Sequence, residues 1–233
     1  MIWYFLVEYM EKSFVNVIYE DNHLLVVEKP INVPVQSDDT GDEDLLNILK
    51  KYLKEKYNKP FNVYLGLVHR LDRPVGGIMV FAKTSKASAR LSEEIRSRRF
   101  KKKYYAVIEN DIEEFGILKD YLIKDNKTNN SYVTTSDKGK EAVLEYRVIE
   151  KQGNYSLVSV NLLTGRSHQI RVQFASRGNA LYGDYRYNKK VAKNSAIALF
   201  AYYISFTHPT TREQMTFTLP LPCRYPFNLF KGE

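Results

Sequence analysis

The sequence predicts an α/β chain in which strands predominate, and two observations support this prediction. Several short apolar runs have the length and composition of strands, and two of them alternate apolar with polar residues. Three other stretches repeat apolar residues at helical spacing. With 44% hydrophobic residues the chain can bury a sizeable core, so global disorder is excluded.

The strands follow in order from these local signals. They are predicted at residues 23–30, 76–83, 103–109, 142–150, 155–163, 196–206 and 215–221. The continuous apolar run at 76–83 is typical of a strand that is buried on both faces. Residues 1–10 are apolar but too short to span a bilayer, and we interpret them as a strand or edge segment of the core.

Helices are predicted over residues 44–57, 85–98 and 167–178. Acidic residues precede the first helix and lysines end it, as the helix dipole favours. Ser85 is placed to cap the second helix, and Gly178 is placed to end the third.

The polar stretch 124–141 is predicted to be a loop or a flexible hairpin. It is either a substrate-facing insertion or a plain surface loop. Because proline and glycine nowhere accumulate into a linker, the sequence predicts one domain over residues 1–233.

Charge and cysteine content narrow the class of protein. The net charge of +8 favours a polyanionic partner such as nucleic acid or an anionic membrane, although charge also simply keeps proteins dispersed. A single cysteine, Cys223, excludes an intramolecular disulfide and a zinc site made of cysteines. This cysteine usage predicts a cytoplasmic protein.

The densest cluster of ionisable residues is LVHRLDRPVGG, residues 67–77. It places Asp72 between Arg70 and Arg73, directly before a buried strand, and cations nearby favour an ionised carboxylate. Such a carboxylate could act as a nucleophile or a general base. The alternative is a structural salt bridge that makes the turn rigid.

A second cluster lies in LLTGRSHQIRVQFASRGNALYGDYRY, residues 162–187. Arg166 and His168 stand where the predicted helix begins, a position that suits anions, and Arg171 lies one turn further on. In the alternative interpretation the two arginines are solvated or paired with Asp184, and His168 is a structural residue.

A third cluster is basic. Six of the eight residues from Arg96 to Lys103 are basic, and two tyrosines follow. Basic residues contact phosphates and aromatic rings stack on bases, whereas a basic run is more often a solvated face and strand tyrosines are more often core.

Motifs for phosphate loops, dinucleotides and zinc proteases are missing from the sequence, and the four histidines are scattered. The residues therefore give little support to these other chemistries.

The motif HRLDRPVGG resembles the HRLD motif of the RluA-type pseudouridine synthase family. Further matching pieces occur in the family's order, namely VVEKPINVPVQ (26–36), KKKYYAVIE (101–109), the TGRSHQIRV segment with the GD that follows, and ALFAYYISFTHP (198–209). Together they cover about residues 14–222. The sequence departs from the family at three places. Val75-Gly76-Gly77 stands where the family often has T-S-G, and Phe200 and Gln173 each replace a histidine of the family.

The resemblance implies an α+β fold with a mixed, mostly antiparallel central sheet and flanking helices, the pseudouridine synthase fold. It also implies that Asp72 is the catalytic aspartate, that Tyr104 stacks on the flipped base, and that Arg171 pairs with the aspartate. Residues expected to bind substrate are His69, Arg70, Arg73, Arg166, His168, Gln169, Arg98, Lys101 and Lys102.

The partner implied by the resemblance is RNA, either ribosomal or transfer RNA, and no metal or organic cofactor is implied. We expect no membrane partner and a monomeric protein. No room is left before residue 14 for the S4-like domain of many relatives, so we expect a stand-alone catalytic domain. Two other functions stay open: a non-catalytic RNA-binding module of the same fold, and a nucleosidase that releases the base.

Overall fold

The computed structural model of the protein describes residues 15–38, 40–193 and 195–232. The strand predicted at residues 1–10 lies outside them. The chain forms two compact units, Met1–Glu94 with Thr207–Glu213 and Ile95–Phe206 with Gln214–Glu233. The single domain over residues 1–233 stays a prediction.

The strands are β1 (Asn16–Glu20), β2 (Leu24–Lys29), β3 (Gly66–Leu67), β4 (Gly76–Ala82), β5 (Lys101–Ile108), β6 (Phe115–Asp125), β7 (Asn130–Thr134), β8 (Lys140–Gln152), β9 (Tyr155–Leu162), β10 (Leu199–Thr207) and β11 (Gln214–Thr218). The helices are α1 (Leu45–Lys56), α2 (Ser85–Arg96) and α3 (Gln169–Ala175), with a 3-10 helix at Phe227–Leu229.

In the first unit, β2 runs antiparallel between β1 and β4, and β3 adds to β4. All seven residues of β4 are buried, which confirms the strand predicted from the apolar run. This strand follows directly on the Asp72 turn, so a fully buried element fixes one end of that turn.

The helix α1 begins and ends as predicted. The Asp44 side chain accepts a hydrogen bond from the Asn47 amide at 3.0 Å, and Leu45, Leu49 and Leu53 are buried. For α2, the predicted cap was wrong by one residue. Thr84 accepts the bond from the Ala87 amide at 3.1 Å, and Ser85 is already helical.

The second unit is an antiparallel sheet in the order β10-β5-β9-β8-β6-β7, with β11 on β10. One face packs on α3 through Leu122, Ala142 and Val172. The opposite face carries the cluster around Tyr105, Leu157, Phe200 and the C-terminal Phe227. Phe200, where the family has a histidine, is therefore a core residue.

Half of the polar stretch 124–141 is strand, and turns make up the rest. β6 and β7 pair from Tyr121 with Thr134 to Asp125 with Asn130, which makes a hairpin. The Asp125 carboxylate closes the turn by accepting bonds from the Lys127 amide and the Thr128 hydroxyl, both at 2.8 Å. The hairpin interpretation is confirmed and the loop interpretation is wrong.

Three further strands of the described ranges, β1, β3 and β6, were not predicted. In β6 the exposed face carries Phe115 and Ile117, so apolar residues occupy both faces and the alternation that marks a half-buried strand is lost. α3 is shorter than predicted, because it ends at Ala175 and the chain turns through Gly178 at φ +79°.

Candidate functional site

The Asp72 turn is held by its apolar neighbours. Leu71 and Val75 are buried, while Asp72 between them is half-buried. The Val75 amide donates to the Asp72 carbonyl at 2.9 Å, and this bond closes the turn. Two side chains that point into the core therefore fix the backbone on either side of a carboxylate that retains access to solvent.

His69 belongs to the same support. Its Nε2 accepts a hydrogen bond from the Val80 amide at 3.1 Å, which ties the segment before Asp72 to β4. Nε2 therefore has no proton in this arrangement. His69, which is predicted to bind substrate, therefore also holds the backbone of its own unit in place.

Lys29 is a residue beside Asp72 that sequence reasoning did not select. Its side chain is 1% exposed, and its ammonium donates to the carbonyls of Pro30, Arg73 and Val75 at 2.8, 3.0 and 2.8 Å. Two of these carbonyls lie in the Asp72 turn, so one buried cation organises that turn. The signal was present in the sequence, as the lysine of VVEKP that precedes Pro30.

The charge on Lys29 is sensitive to its surroundings. Burial lowers the pKa of the amine to about 7, and the nearby carboxylate of Asp72 acts in the opposite direction. Three donated bonds require the ammonium form, which has three hydrogens, so the carbonyls also favour the charged state.

The two arginines beside Asp72 differ in their contacts. Arg73 binds Thr40 at 2.7 Å and pairs with the carboxylates of Asp38 and Asp42, which raises the pKa of the guanidinium. Arg70 is exposed and forms no hydrogen bond or ion pair with any residue that the structure describes. Of the two, Arg70 presents the guanidinium that is open to a ligand.

The TGR turn of the second unit is closed by Gln169. Its side-chain oxygen accepts bonds from the Thr164 hydroxyl at 2.8 Å and the Arg166 amide at 3.0 Å, and the residue is buried. Arg166 in turn donates from Nε to the Glu141 carbonyl at 2.8 Å. Both predicted substrate residues thus shape the turn.

Arg171 lies in α3 and forms a buried pair with Asp184. Nε donates to one carboxylate oxygen at 2.9 Å, and Nη2 donates to the other at 2.7 Å. The pairing with Asp184, one of the two interpretations drawn from the sequence, is confirmed. Such a bidentate pair fixes the plane of the guanidinium.

The position of Asp184 depends on the glycine before it. Gly183 has φ +72°, and a Cβ atom there would lie 2.2 Å from the Ala196 carbonyl oxygen. A side chain at this position would therefore displace the backbone that carries Asp184.

Tyr187 extends the Arg171 network. The guanidinium lies 5.3 Å from the centre of the Tyr187 ring, and the Tyr187 hydroxyl bonds with His168 Nδ1 at 2.7 Å. His168 has a left-handed backbone, φ +53°, at the start of α3. The residue predicted to bind substrate is thus a partner of Tyr187, which sequence reasoning did not select although it stands in the quoted GDYRY segment.

Gln173, which replaces a family histidine, ties α3 to the sheet. It is fully buried, and its amide nitrogen donates to the carbonyls of Leu118 and Ala142 and to Asp120. The substitution therefore serves the packing of the helix that carries Arg171.

Tyr104 and α3 share one face of the second unit's sheet. Tyr104 is paired with Val160, and Val160 with Tyr146, whose ring packs edge-on against Phe174 of α3 at 5.3 Å. Directly paired residues point to the same side of a sheet. Tyr104 therefore faces the side of the sheet on which α3 lies, and Lys102, two residues before Tyr104, faces this side as well.

Lys102 lies against the TGR turn. A Cβ atom at Gly165 would be 3.3 Å from its ammonium nitrogen. The side chain is half-buried, burial lowers its pKa, and it has no hydrogen-bond or ion-pair partner among the described residues. A cation in this setting is suited to an anion supplied from outside.

The other residues of the basic cluster differ in their contacts and in their exposure. Arg98 pairs with Glu141 at 3.6 Å, and the Lys103 ammonium lies 5.1 Å from the centre of the Tyr203 ring. Lys101 is exposed. Among these residues, Lys101 and Lys102 are the cations best placed for phosphate contacts.

Two other features to consider are a metal site and a membrane-spanning helix. Within the described ranges, no three His, Cys, Asp or Glu side chains are grouped so that they could hold a metal ion. The helices of those ranges are too short or too polar to cross a membrane.

A model of the family described as RNA pseudouridylate synthase matches residues 23–176, which is more than half of the chain. The chain belongs to this family. As a pseudouridine synthase it is an isomerase, and the family resemblance seen in the HRLD and TGRSHQIRV motifs is confirmed.

Curated relatives agree with the family match. Ribosomal large subunit pseudouridine synthase C of Buchnera aphidicola subsp. Baizongia pistaciae is 32% identical over 216 residues, 88% of this chain and 66% of that protein. Ribosomal large subunit pseudouridine synthase D of Pseudomonas aeruginosa is 33% identical over 222 residues, 88% and 68% respectively. The pseudouridine synthase described here thus spans about two thirds of their length.

The fold of the pseudouridine synthase also has solved counterparts. Human RNA pseudouridylate synthase domain containing 4 matches with a TM-score of 0.76 and 21% identity, over 97% of this chain and 94% of that one. The human protein named domain containing 1 matches with a TM-score of 0.70 over 88% and 83%. The predicted α+β class with a mostly antiparallel sheet is therefore confirmed.

Proposed function

We propose that this pseudouridine synthase converts uridine to pseudouridine in RNA of the large ribosomal subunit, with Asp72 as its catalytic carboxylate. The names of the curated relatives support the choice of ribosomal over transfer RNA. The observation that carries the assignment of Asp72 is its turn, in which buried Leu71, Val75 and Lys29 hold the backbone around a carboxylate that stays half-exposed.

In the proposed reaction the Asp72 carboxylate attacks the uridine, at the base or at the ribose, and the N1–C1′ bond breaks. The uracil rotates, C5 bonds to C1′, and the bond between Asp72 and the nucleotide breaks, which regenerates the free carboxylate. The C5 proton leaves to solvent, and N1 takes up a proton. Atoms and charge balance without a cofactor, because product and substrate are isomers.

Tyr104 and Arg171 complete the proposed chemistry. The Tyr104 ring stacks on the extruded base, and its hydroxyl moves a proton at the sugar. By the family resemblance, Arg171 is proposed to be the cation that keeps the catalytic carboxylate ionised and oriented. The bidentate bonds to Asp184 support this role, because they fix the guanidinium before any substrate binds.

Contacts with the RNA backbone are assigned to the open cations. Taking a base out of its stack costs a few kcal/mol, so binding energy from elsewhere must offset that cost. Arg70 is proposed to help displace the base, and Lys101 and Lys102 to bind phosphates. Their exposure or lack of internal partners supports these roles.

The test uses purified protein and unmodified transcripts of large-subunit ribosomal RNA and of transfer RNA. Pseudouridine is mapped by chemical labelling and reverse transcription, and free uracil is measured by chromatography. We expect isomerisation of the ribosomal transcript by the wild type and none by Asp72→Asn, with RNA affinity nearly unchanged.

Each alternative gives a different result. Release of uracil would identify a nucleosidase, and RNA binding without either product would identify a non-catalytic module. Full activity of Asp72→Asn would remove Asp72 from the mechanism, and modification of transfer RNA alone would replace the proposed substrate.

A further inference from the structure

The segment that follows α1 exposes three aromatic side chains. Phe61 is 82% exposed, and Tyr57 and Tyr64 are each about half exposed. Between and after them, Val63 and Leu65 are buried, which anchors the segment to the first unit. The aromatic rings therefore project from a backbone that is fixed by its neighbours, outside the motifs used for the proposed site.

Lysines lie around the Tyr57 ring and along the chain that carries the other two rings. Residues 50–64 contain five lysines and one glutamate. The ammonium groups of Lys56, Lys59 and Lys83 lie 5.7, 5.7 and 4.8 Å from the centre of the Tyr57 ring. Neither Lys54 nor Lys59 has a carboxylate partner in the part of the chain that the structure describes. We call Lys54, Lys56, Tyr57, Lys59, Phe61 and Tyr64 the lysine–aromatic surface.

One buried carboxylate organises the surface. Although burial alone would raise the pKa of Glu20, hydrogen bonds from lysine and tyrosine side chains lower it to about 2. The four donors and their distances are Lys83 at 2.6 Å, Tyr57 at 2.7 Å, Lys56 at 2.8 Å and Tyr52 at 2.9 Å. Because two lysines share one carboxylate, the cluster keeps a positive charge.

The Tyr64 ring is positioned by a glycine. A Cβ atom at Gly66 would lie 2.8 Å from both the Tyr64 hydroxyl oxygen and the Ser88 hydroxyl oxygen. Glycine in β3 thus leaves the space in which the end of the tyrosine rests, while half of its side chain faces solvent.

We infer that the lysine–aromatic surface binds single-stranded RNA outside the target nucleotide, with Phe61 and Tyr64 stacking on bases and Lys54 and Lys59 contacting phosphates. Exposed rings among unpaired cations match the chemistry of sequence-tolerant binding to single strands. The positive charge favours a polyanion over an apolar protein partner. The inference rests on the proposed function only in taking RNA as the substrate.

The probe is a fluorescent oligoadenylate, which contains no uridine and so cannot be a substrate. Binding is measured by anisotropy for the wild type, Phe61→Ala, the Phe61→Ala/Tyr64→Ala double variant and the Lys54→Gln/Lys59→Gln double variant. Loss of each ring is expected to weaken binding at least about fivefold. The lysine variant is expected to lower the slope of log K against log salt by about 1.4 in magnitude, about 0.7 for each phosphate contact on a single strand.

Phe115→Ala is the matched control, because Phe115 is a similarly exposed phenylalanine (78%) on β6 of the second unit. It is expected to bind oligoadenylate like the wild type. Thermal melting of each variant tests folding, and Phe61→Ala changes a side chain with little packing to lose. Ultraviolet crosslinking followed by mass spectrometry is expected to find adenosine on Phe61 or Tyr64.

The outcomes separate this inference from the proposed function. If the wild type forms no pseudouridine but the ring variants lose oligoadenylate, the inference stands and the proposed function fails. If oligoadenylate binding is absent in the wild type, or equal in all variants, the inference is overturned. A self-association seen by light scattering that the ring variants abolish, with RNA affinity unchanged, would assign the surface to protein contact instead.

Discussion

Arg171 and Asp184 form a bidentate ion pair in which both side chains are almost wholly buried, with N···O distances of 2.9 and 2.7 Å. The pair joins α3 to the segment after it, and Gly183 provides the backbone conformation that places the carboxylate. A proposed catalytic cation is therefore oriented by a residue that has no proposed role in the chemistry.

Asp184→Ala is expected to destabilise the protein by about 3–5 kcal/mol, because it leaves a buried guanidinium without its partner. Urea denaturation measures this loss, and Asp111→Ala, which removes an exposed pair with Lys151, should leave the curve in place. At a temperature where Asp184→Asn stays folded, its rate should fall more than its RNA affinity. Wild-type stability and rate in both Asp184 variants would contradict the positioning role.

Lys29→Met is expected to reduce stability by about 2 kcal/mol or more at pH 6, because carbonyls of Pro30, Arg73 and Val75 lose their donor. The loss should grow as the pH rises. The amine has a pKa of about 7 when folded and 10.5 when unfolded, so between these values the unfolded wild type binds more protons.

The contribution of Lys29 to the free energy of unfolding of the wild type therefore increases as the pH rises from 7 towards 10. The Met variant lacks this increase. Urea denaturation at pH 6, 7, 8 and 9 measures the difference between the two. Lys54→Met, at an exposed helical position, should follow the wild-type pH dependence. A difference between wild type and Lys29→Met that narrows with rising pH would contradict the depressed pKa.

Tyr104→Phe is expected to keep RNA affinity and to lose about two orders of magnitude in rate, since the stacking ring remains and the proton-transferring hydroxyl is removed. Single-turnover assays at saturating RNA measure the rate. Tyr105→Phe is the control. Tyr105 lies next in β5 on the opposite face and stacks on Tyr202 at 3.7 Å. Near-normal turnover of Tyr104→Phe would limit Tyr104 to stacking.

Lys102→Gln is expected to weaken RNA binding more than Lys101→Gln, because the half-buried ammonium has no described partner and receives its counter-charge from a phosphate. Each substitution should lower the magnitude of the salt slope by about 1. Since burial lowers the pKa of Lys102, the effect of Lys102→Gln on affinity should become smaller as the pH rises.

Affinity measured from pH 7 to 9 in both variants tests this order. Arg98→Gln, which removes a partner of Glu141, should have the smallest effect of the three. An equal salt slope in wild type and Lys102→Gln would take Lys102 out of the RNA contact.

Local sequence was sufficient to predict a helix or a strand whose formation depends only on its own residues. The spacing of Leu45, Leu49 and Leu53 defined α1, and the apolar run of Gly76–Ala82 defined β4, because burial of a regular face needs only the right period. It failed for β6, whose exposed Phe115 and Ile117 obscure the period, and for the cap of α2, where two adjacent hydroxyl residues compete.

The sequence by itself determined the family, most of the strands along the chain and most of the candidate residues. Motifs and periodicity are properties of neighbours along the chain. Only the tertiary structure decided the partners of the charged groups: Lys29 with the turn after Asp72, Arg73 with Asp38 and Asp42, and Arg171 with Asp184. A charged side chain must satisfy its hydrogen bonds wherever folding buries it, and the groups that meet it there are separated from it by 13 to 46 residues.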